Sequence, residues 1–323
     1  MPVLDVRAQL TLVELAKRTH NKDLLLIAET LNEVLEMLDD AIWIEANGPT
    51  SHTHTRRQAL PTGTYRKFNA GVPREASAAK QIVETLGMLE AYSVVDKGLV
   101  DLAPNAKEFR SGEDMAFVEG LSQTFATTLI YGNMTTTPEK FNGLATRYNS
   151  LSLANVDECG GTGETTTSVW VIQWGKTRVF LPYPKGSKTM GVNARDLGEC
   201  TVVDAGGTNE YQAYRTHFKM DGGIVVRDDR CVQRVCNIQT TGKTNIFDDD
   251  ILVGALNRLP AKGIGAAIYA NETVKTQMDI LAKDKSNVNY TQKDAFGRPV
   301  TSFRGFPVRQ MDAIINGESA VVA

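Results

Sequence analysis

The chain has 323 residues, of which 42% are hydrophobic, and a formal net charge of -3. This apolar content excludes a wholly disordered chain, and a charge near zero gives no electrostatic reason to expect a nucleic-acid-binding protein. No stretch approaches the ~20 consecutive apolar residues of a membrane span. Residues 1–18 lack the basic start and apolar run of a signal peptide. We therefore expect a soluble protein that is made in a cytoplasm and has no membrane contact.

The four cysteines are Cys159, Cys200, Cys231 and Cys236. They are too sparse for a disulfide scaffold, and they lack the two close pairs that are typical of a zinc site. The sequence predicts reduced, mostly buried thiols.

The first forty residues are predicted to be helical. Thr11 and Glu14 form a capping-box pattern before an apolar run. One helix face then follows three-four spacing, through Leu24, Ile27, Ala28, Leu31, Leu35 and Leu38. Asp39 and Asp40 are expected to end this helix.

A long polar excursion follows, between predicted strands at 42–44 and 63–68. Its sequence is GPTSHTHTRRQALPT, which is far longer than the ~2–5 residues of a short hairpin loop. A long two-stranded arm is marginal in water by itself, so we expect this segment to lie on another protein chain. His52 and His54 are two residues apart, and a strand would place both on one face. They could bind a metal, although a solvated or interface pair is favoured because no third ligand is near.

Residues 73–90 are predicted to be helical, with a turn at 97–98. The longest predicted helix covers 112–131, capped by Ser111, with Glu113 and Asp114 in its first turn. Its apolar stripe consists of Val118, Leu121, Phe125 and Leu129, and Gly132 is expected to stop it.

Strands dominate after Pro138. We predict strands at 169–172, 179–181 and 211–220, the last turning through Asp221, Gly222 and Gly223 into a hairpin partner at 224–226. Helices are predicted at 249–259 and at 271–282, the second capped by Asn271. The chain is therefore predicted to be α+β.

Three motifs could carry chemistry. The string DAGGTN at 204–209 resembles the phosphate-binding turn of actin-fold sugar kinases, but no second such loop follows, which favours an ordinary connection between strands. The glycine-rich run 160–163 lacks the lysine of a phosphate loop and is predicted to be a loose surface loop. The three carboxylates at 248–250 could bind a divalent ion, but a helix N-terminus explains them more simply.

The order of these parts resembles the major capsid proteins of tailed bacteriophages, which have the HK-97-like (Hong Kong 97-type) shell fold. Strings similar to those of epsilon-15-like short-tailed phages stand at 130–133 and 138–144, at 168–190, and at 304–309 with Asp312. The resemblance implies an N-terminal arm at 1–40, an extended loop at 41–72, a peripheral domain with a spine helix at 73–140, and an axial domain with a return to the peripheral domain at 141–323.

This resemblance implies a structural protein with no catalytic residue and no cofactor. Hexamers and pentamers would close an icosahedral shell around the double-stranded DNA genome, within a virion assembled in the bacterial cytoplasm. Further implied partners are a cementing or decoration protein, a scaffolding protein, a portal, and DNA held without sequence specificity.

Six residues of the extended loop are predicted to contact a neighbouring subunit: Trp43, Arg56, Arg57, Tyr65, Arg66 and Lys67. The basic residues among them could form a solvated surface. They could equally pair with carboxylates on the neighbouring subunit, for which the guanidinium fork is suited. Two other functions stay open, a kinase resting on the 204–209 string alone and a tail or decoration module, against which the long helices count.

Overall fold

The computed structural model describes residues 19–20, 23–24, 35–187, 190–203, 208–282, 290–295 and 298–322. The helices are α1 (Glu36–Asp40), α2 (Lys97–Leu102), α3 (Ala106–Tyr131), α4 (Leu144–Arg147), α5 (Asp249–Asn257) and α6 (Glu272–Ala282). Within these residues, no helix combines the length and the apolar character needed to cross a membrane.

The strands, in chain order, are β1 (Thr19–His20), β2 (Asp23–Leu24), β3 (Trp43–Glu45), β4 (Ser51–Ala59), β5 (Ala78–Thr85), β6 (Gly87–Asp96), β7 (Val156–Glu158), β8 (Thr166–Gln173), β9 (Val179–Tyr183), β10 (Val192–Val203), β11 (Glu210–Gly222), β12 (Val225–Val226), β13 (Val232–Gln239), β14 (Ala266–Ala270), β15 (Tyr290–Ala295), β16 (Arg298–Phe303) and β17 (Phe306–Gln310). The described residues form two compact units. The first unit takes its described residues from Met1–Glu33, Met88–Ala126 and Lys188–Asp221, and the second unit takes the rest.

The first unit is built on a three-stranded sheet in the order β10-β11-β6. Strands β10 and β11 form a long antiparallel hairpin, and Phe117 of α3 stacks on Phe218 of β11 with 5.7 Å between ring centroids. A small apolar core joins β6 to the start of α3 through Val95, Leu99, Val100 and Phe109. The unit therefore depends on one sheet and the helix packed against it.

The second unit is built on a seven-stranded sheet in the order β15-β16-β17-β14-β8-β13-β7. All eight residues of β8 are buried, which is the pattern of a central strand covered on both faces. One face carries Val169 and Val171, which share a buried cluster with Leu252 of α5 and Met278 of α6. On the other face, Trp170 lies 6.2 Å from the ring of Tyr148.

Two smaller sheets complete the second unit. One has the order β12-β9-β3, with β3 parallel and β12 antiparallel to β9. The other is the antiparallel pair of β4 and β5.

Several helix predictions are confirmed. α5 begins at Asp249, where the side chain of Asp248 accepts a hydrogen bond from the backbone of Asp250. α6 begins at Glu272, and the backbone N–H of Val274 donates to the Asn271 side chain over 3.0 Å. The strands at 42–44, 169–172, 179–181 and 211–220 are confirmed to within about three residues, as β3, β8, β9 and β11.

The longest helix begins six residues earlier than predicted. α3 starts at Ala106, and Asn105 caps it: the Asn105 side chain accepts from the Glu108 backbone and donates to the Glu108 carboxylate over 3.1 Å. Ser111 therefore lies inside the helix and does not cap it. Leu121, Phe125 and Leu129 are buried as predicted, whereas Val118 is exposed.

Five other predictions are wrong. Residues 73–90 are not helical, because β5 and β6 occupy most of that range, and 97–98 begins α2. No strand forms at 63–68. β12 pairs with β9, so 211–226 is not a hairpin. Leu24 lies in β2 and not on a helix, while Thr11, Glu14 and residues 25–34 lie outside the described residues.

Candidate functional site

The polar excursion is a two-stranded arm, which we define as residues 51–85. β4 and β5 pair antiparallel from Ser51 opposite Thr85 to Ala59 opposite Ala78. The connection between them, residues 60–77, contains no helix and no strand, and we call it the arm tip. The return strand β5 lies beyond residue 72, where the predicted extended loop ends.

The arm exposes its side chains over an unusual length. Every residue from 57 to 81 is exposed. Tyr65 and Phe68 are fully exposed, and Leu60 and Val72 are more than half exposed. Exposed apolar side chains that lie close together mark an interaction surface, because burying them against a partner would stabilise the complex.

The arm is also strongly basic in a chain that is not. Residues 56–80 contain six basic side chains and one acidic one, a formal charge of +5 that leaves -8 for the rest of the chain. The basic residues are Arg56, Arg57, Arg66, Lys67, Arg74 and Lys80. Such a segment is attracted to acidic surfaces and repelled by other copies of itself.

Two charge-assisted contacts attach the base of the arm to the rest of the second unit. The guanidinium of Arg147 donates to both carboxylate oxygens of Glu84, each over 2.7 Å. Arg56 makes a bidentate pair with the carboxylate of Asp229 and also donates to the backbone carbonyl of Val226 over 3.1 Å. Bidentate arginine pairs fix direction as well as distance, so the base of the arm is oriented by its own subunit.

The two histidines lie at this base, on one strand face as predicted. Their ring centroids are 6.3 Å apart, and the ring of His52 meets that of Phe180 edge-on at 5.3 Å. His54 is buried, and within the described part of the chain neither of its ring nitrogens has a hydrogen-bond partner. Burial lowers the pKa of both imidazoles, with the charge of Arg227 acting in the same direction. A neutral pair packed at the base of the arm is the result.

The predicted contact residues fall in three places. Trp43 lies in β3, opposite Leu181 of β9. Arg56 and Arg57 lie in β4, where Arg56 is paired with Asp229 and Arg57 is exposed. Tyr65, Arg66 and Lys67 lie together in the exposed arm tip.

The sequence motifs with possible chemistry have structural roles where they are described. Strand 201–203 is the end of β10, and the chain re-enters the same hairpin at β11, although residues 204–207 lie outside the described part. The run 160–163 is tethered, not loose, because the Gly161 N–H donates to the Asn237 carbonyl over 2.8 Å. In the described part of the chain, no three acidic, histidine or cysteine side chains are grouped as metal ligands would be.

The cysteines are all free thiols, as predicted. Cys231 and Cys236 are buried, while Cys159 and Cys200 are partly buried. Burial raises the pKa of the Cys236 thiol to about 12 and that of the Cys159 thiol to about 11. At neutral pH these two thiols are protonated and weakly nucleophilic.

Comparison with known proteins identifies the family. The family model of the major capsid protein GP7 matches residues 19–322. The chain belongs to this capsid protein family. A chain in the near-atomic-resolution structure of bacteriophage Epsilon15 is 30% identical, with a TM-score of 0.75, over 99% of this chain and 100% of that one. The capsid of bacteriophage JBD30 matches at 10% identity and a TM-score of 0.50, over 88% of this chain and 93% of that one. No curated protein matches the sequence.

This GP7-family protein is therefore a structural component of a phage capsid, with the α+β, HK-97-like fold. The kinase alternative has no support in these matches. Sequence reasoning missed the residues that orient the arm, Glu84, Arg147 and Asp229. Each pair joins residues more than 60 positions apart, and a single sequence has no local pattern that could have indicated such partners.

Proposed function

We propose that this capsid protein builds its shell as hexamers and pentamers in which the arm of each subunit lies across a neighbour. The observation that carries the proposal is the run of exposed residues at 57–81. Such a run includes fully exposed aromatic rings that its own subunit does not cover. A contact from an arm to a different surface of the next copy is heterologous, and heterologous contacts generate rings when the rotation between copies closes.

The proposed contact residues divide into two roles. Arg57, Tyr65, Arg66 and Lys67 are exposed and would meet the neighbouring copy. Trp43 and Arg56 are engaged within their own subunit, at β3 and at Asp229, and would set the direction of the arm. Their effect on assembly would therefore be indirect.

The two compact units support a proposed domain assignment. The first unit, which contains most of the long helix α3, would be the peripheral domain with its spine helix. The second unit would supply the axial domain through its seven-stranded sheet with α5 and α6. In this assignment the return to the peripheral domain occurs at 188–221, in the middle of the region predicted to be axial.

The remaining parts of the proposal follow from membership of a capsid family. The protein has no catalytic role, encloses double-stranded DNA without sequence-specific contacts, and assembles in the bacterial cytoplasm. Scaffolding, decoration and portal proteins would act with it during assembly. The net charge of -3 supports a modest DNA contact, because a tight duplex-binding surface would need many basic residues.

Substitution at the arm tip tests the proposal. The double variant Y65S/F68S should fold normally, because surface substitutions change the free energy of unfolding by only about 0.5 kcal/mol. It should nevertheless fail to close shells, as measured by sedimentation velocity and electron microscopy. The control Y65F/F68Y keeps both rings and should assemble. Shells of normal size and yield from Y65S/F68S would contradict the proposal.

A further inference from the structure

An open cavity of about 580 Å³ lies at the base of the arm in the second unit. It is lined by Thr55, Arg56, Arg57, Thr177, Arg227, Asp228, Asp229 and Arg230. Four of these side chains are guanidinium groups and two are carboxylates. The cavity is therefore polar, and its excess charge is positive.

The two carboxylates are already occupied. Asp229 receives the bidentate pair from Arg56, and Asp228 receives two bonds from Arg230, over 3.0 and 2.8 Å. Both arginine pairs use the planar fork that suits a carboxylate. Each of these two carboxylates therefore already has an arginine as its counter-ion.

Two guanidinium groups have no counter-ion among the residues that the structure describes. Arg57 is exposed, and no partner for it occurs among the described residues. Arg227 is partly buried, and its side chain donates to the backbone carbonyl of Lys176 over 3.3 Å. A neutral carbonyl does not compensate the positive charge of Arg227. The cavity therefore has two arginines that are available to bind a negatively charged group.

We propose that this arginine cavity binds a carboxylate side chain from a second copy of the chain. The inference deepens the proposed function, because it requires subunits that adjoin. Outside residues 56–80 the chain carries a formal charge of -8, so a neighbouring copy offers acidic side chains in excess. A DNA duplex fits less well, since two free arginines are far fewer than the ~6–10 phosphate contacts of typical duplex-binding proteins.

A zero-length cross-link tests the contact directly. The variant R57K keeps the charge and places an amine at the cavity, where a carbodiimide couples it to any touching carboxylate with loss of water. The reaction is run on a mixture of isotopically heavy and light copies, under assembly conditions. We expect mixed-isotope peptides that join position 57 to an Asp or Glu of another copy. Links to Asp228 or Asp229 of the same copy alone, or no links, would overturn the inference.

Charge reversal gives a second, independent measurement. R57E should lower the assembled fraction about tenfold at low salt. The control K80E makes the same change of charge in the same arm but outside the cavity, and it should have a much smaller effect. An equal loss in both variants would mean that only the net charge of the arm matters, and would overturn the inference. The inference would also be overturned if the wild-type protein retained DNA, R57E abolished that retention, and R57K gave no mixed-isotope links.

Failure here is distinguishable from failure of the proposed function. R57K shells that form without mixed-isotope links from position 57 would remove the cavity contact and leave the proposed shell role intact. Y65S/F68S shells of normal yield, together with mixed-isotope links, would retain the cavity contact and remove the role of the arm tip.

Discussion

At the scale of single residues, the buried pair of Arg234 and Glu318 stands out. Their side chains are 4% and 5% exposed and lie 2.9 Å apart. Glu318 also accepts from the hydroxyls of Tyr131 and Ser168, and Arg234 stacks over Trp170 at 4.9 Å. The carboxylate thus connects the end of α3 to the central sheet. Removing one partner of such a pair leaves an uncompensated charge inside the protein.

The variant E318Q is therefore expected to destabilise the second unit by about 3–5 kcal/mol. All three tryptophans lie in that unit, so the urea midpoint of tryptophan fluorescence measures its unfolding. E164Q changes an exposed carboxylate and should leave the midpoint nearly unchanged. An E318Q midpoint equal to that of wild type would show that the pair contributes little.

The buried histidine predicts a dependence on pH. Burial lowers the pKa of His54 in the folded state, while the unfolded chain keeps the ordinary value of about 6.5. As pH falls through that value, the unfolded chain takes up the proton first, so the free energy of unfolding decreases. H54L should flatten this slope between about pH 7 and pH 5, as read from urea midpoints. An unchanged slope would exclude His54 as its source.

At this scale the sequence indicated the surface residues of the site better than their partners. Arg57, Tyr65, Arg66 and Lys67 are predicted to contact a neighbouring subunit; they are exposed, and the contact itself stays a prediction. The partner of Arg56 was not predictable, because Asp229 lies 173 positions away. Local sequence patterns indicate which residues are exposed, whereas a contact between residues so far apart in the sequence depends on the whole fold.

At the scale of elements, a glycine pair closes the turn after α3. Gly132 ends the region of helical hydrogen bonding, and its carbonyl accepts from the Gly143 N–H over 2.8 Å. A Cβ atom built on Gly143 would lie 2.7 Å from the Gly132 nitrogen and from the carbonyl oxygens of Ile130 and Thr128. Backbone atoms at that distance cannot rotate away, so a larger residue requires the turn to shift.

G143A should consequently lower the free energy of unfolding by about 1–3 kcal/mol. The matched control is G120A in the middle of α3, where an added Cβ meets nothing within 4 Å. An exposed helical glycine replaced by alanine should instead stabilise by about 0.5–1 kcal/mol. Thermal melts followed by circular dichroism test both signs, and a stabilising G143A would refute this account of the turn.

Element prediction failed where pairing overrode local preference. Residues 73–90 are rich in Ala, Glu, Lys and Leu, which favour a helix in isolation. In the structure β5 pairs with β4, and β6 adjoins β11, and such cross-strand packing outweighs propensity. The start of α3 was misplaced for a different reason. Ser111 and Gly112 suggest a helix start, whereas the helix is capped by the side chain of Asn105, which bonds to Glu108.

At the scale of the whole molecule, the α+β class was predictable, but the sheet order was not. β14 pairs in parallel with β17, and β7 pairs in parallel with β13, across long stretches of chain. Hydrophobic periodicity identifies a strand but does not indicate its neighbour. The division into units is equally non-local, since each unit draws on separated segments.

The central claim also concerns the whole molecule. The base of the arm is fixed on its own subunit, and the exposed arm tip is buried on other copies of the chain. The most direct test is electron microscopy of the purified wild-type protein, with its mass measured by light scattering. The account predicts closed shells, or rings of five or six subunits, at low salt and rising concentration. A monomer or isologous dimer that persists across salt, concentration and added scaffolding protein would contradict it.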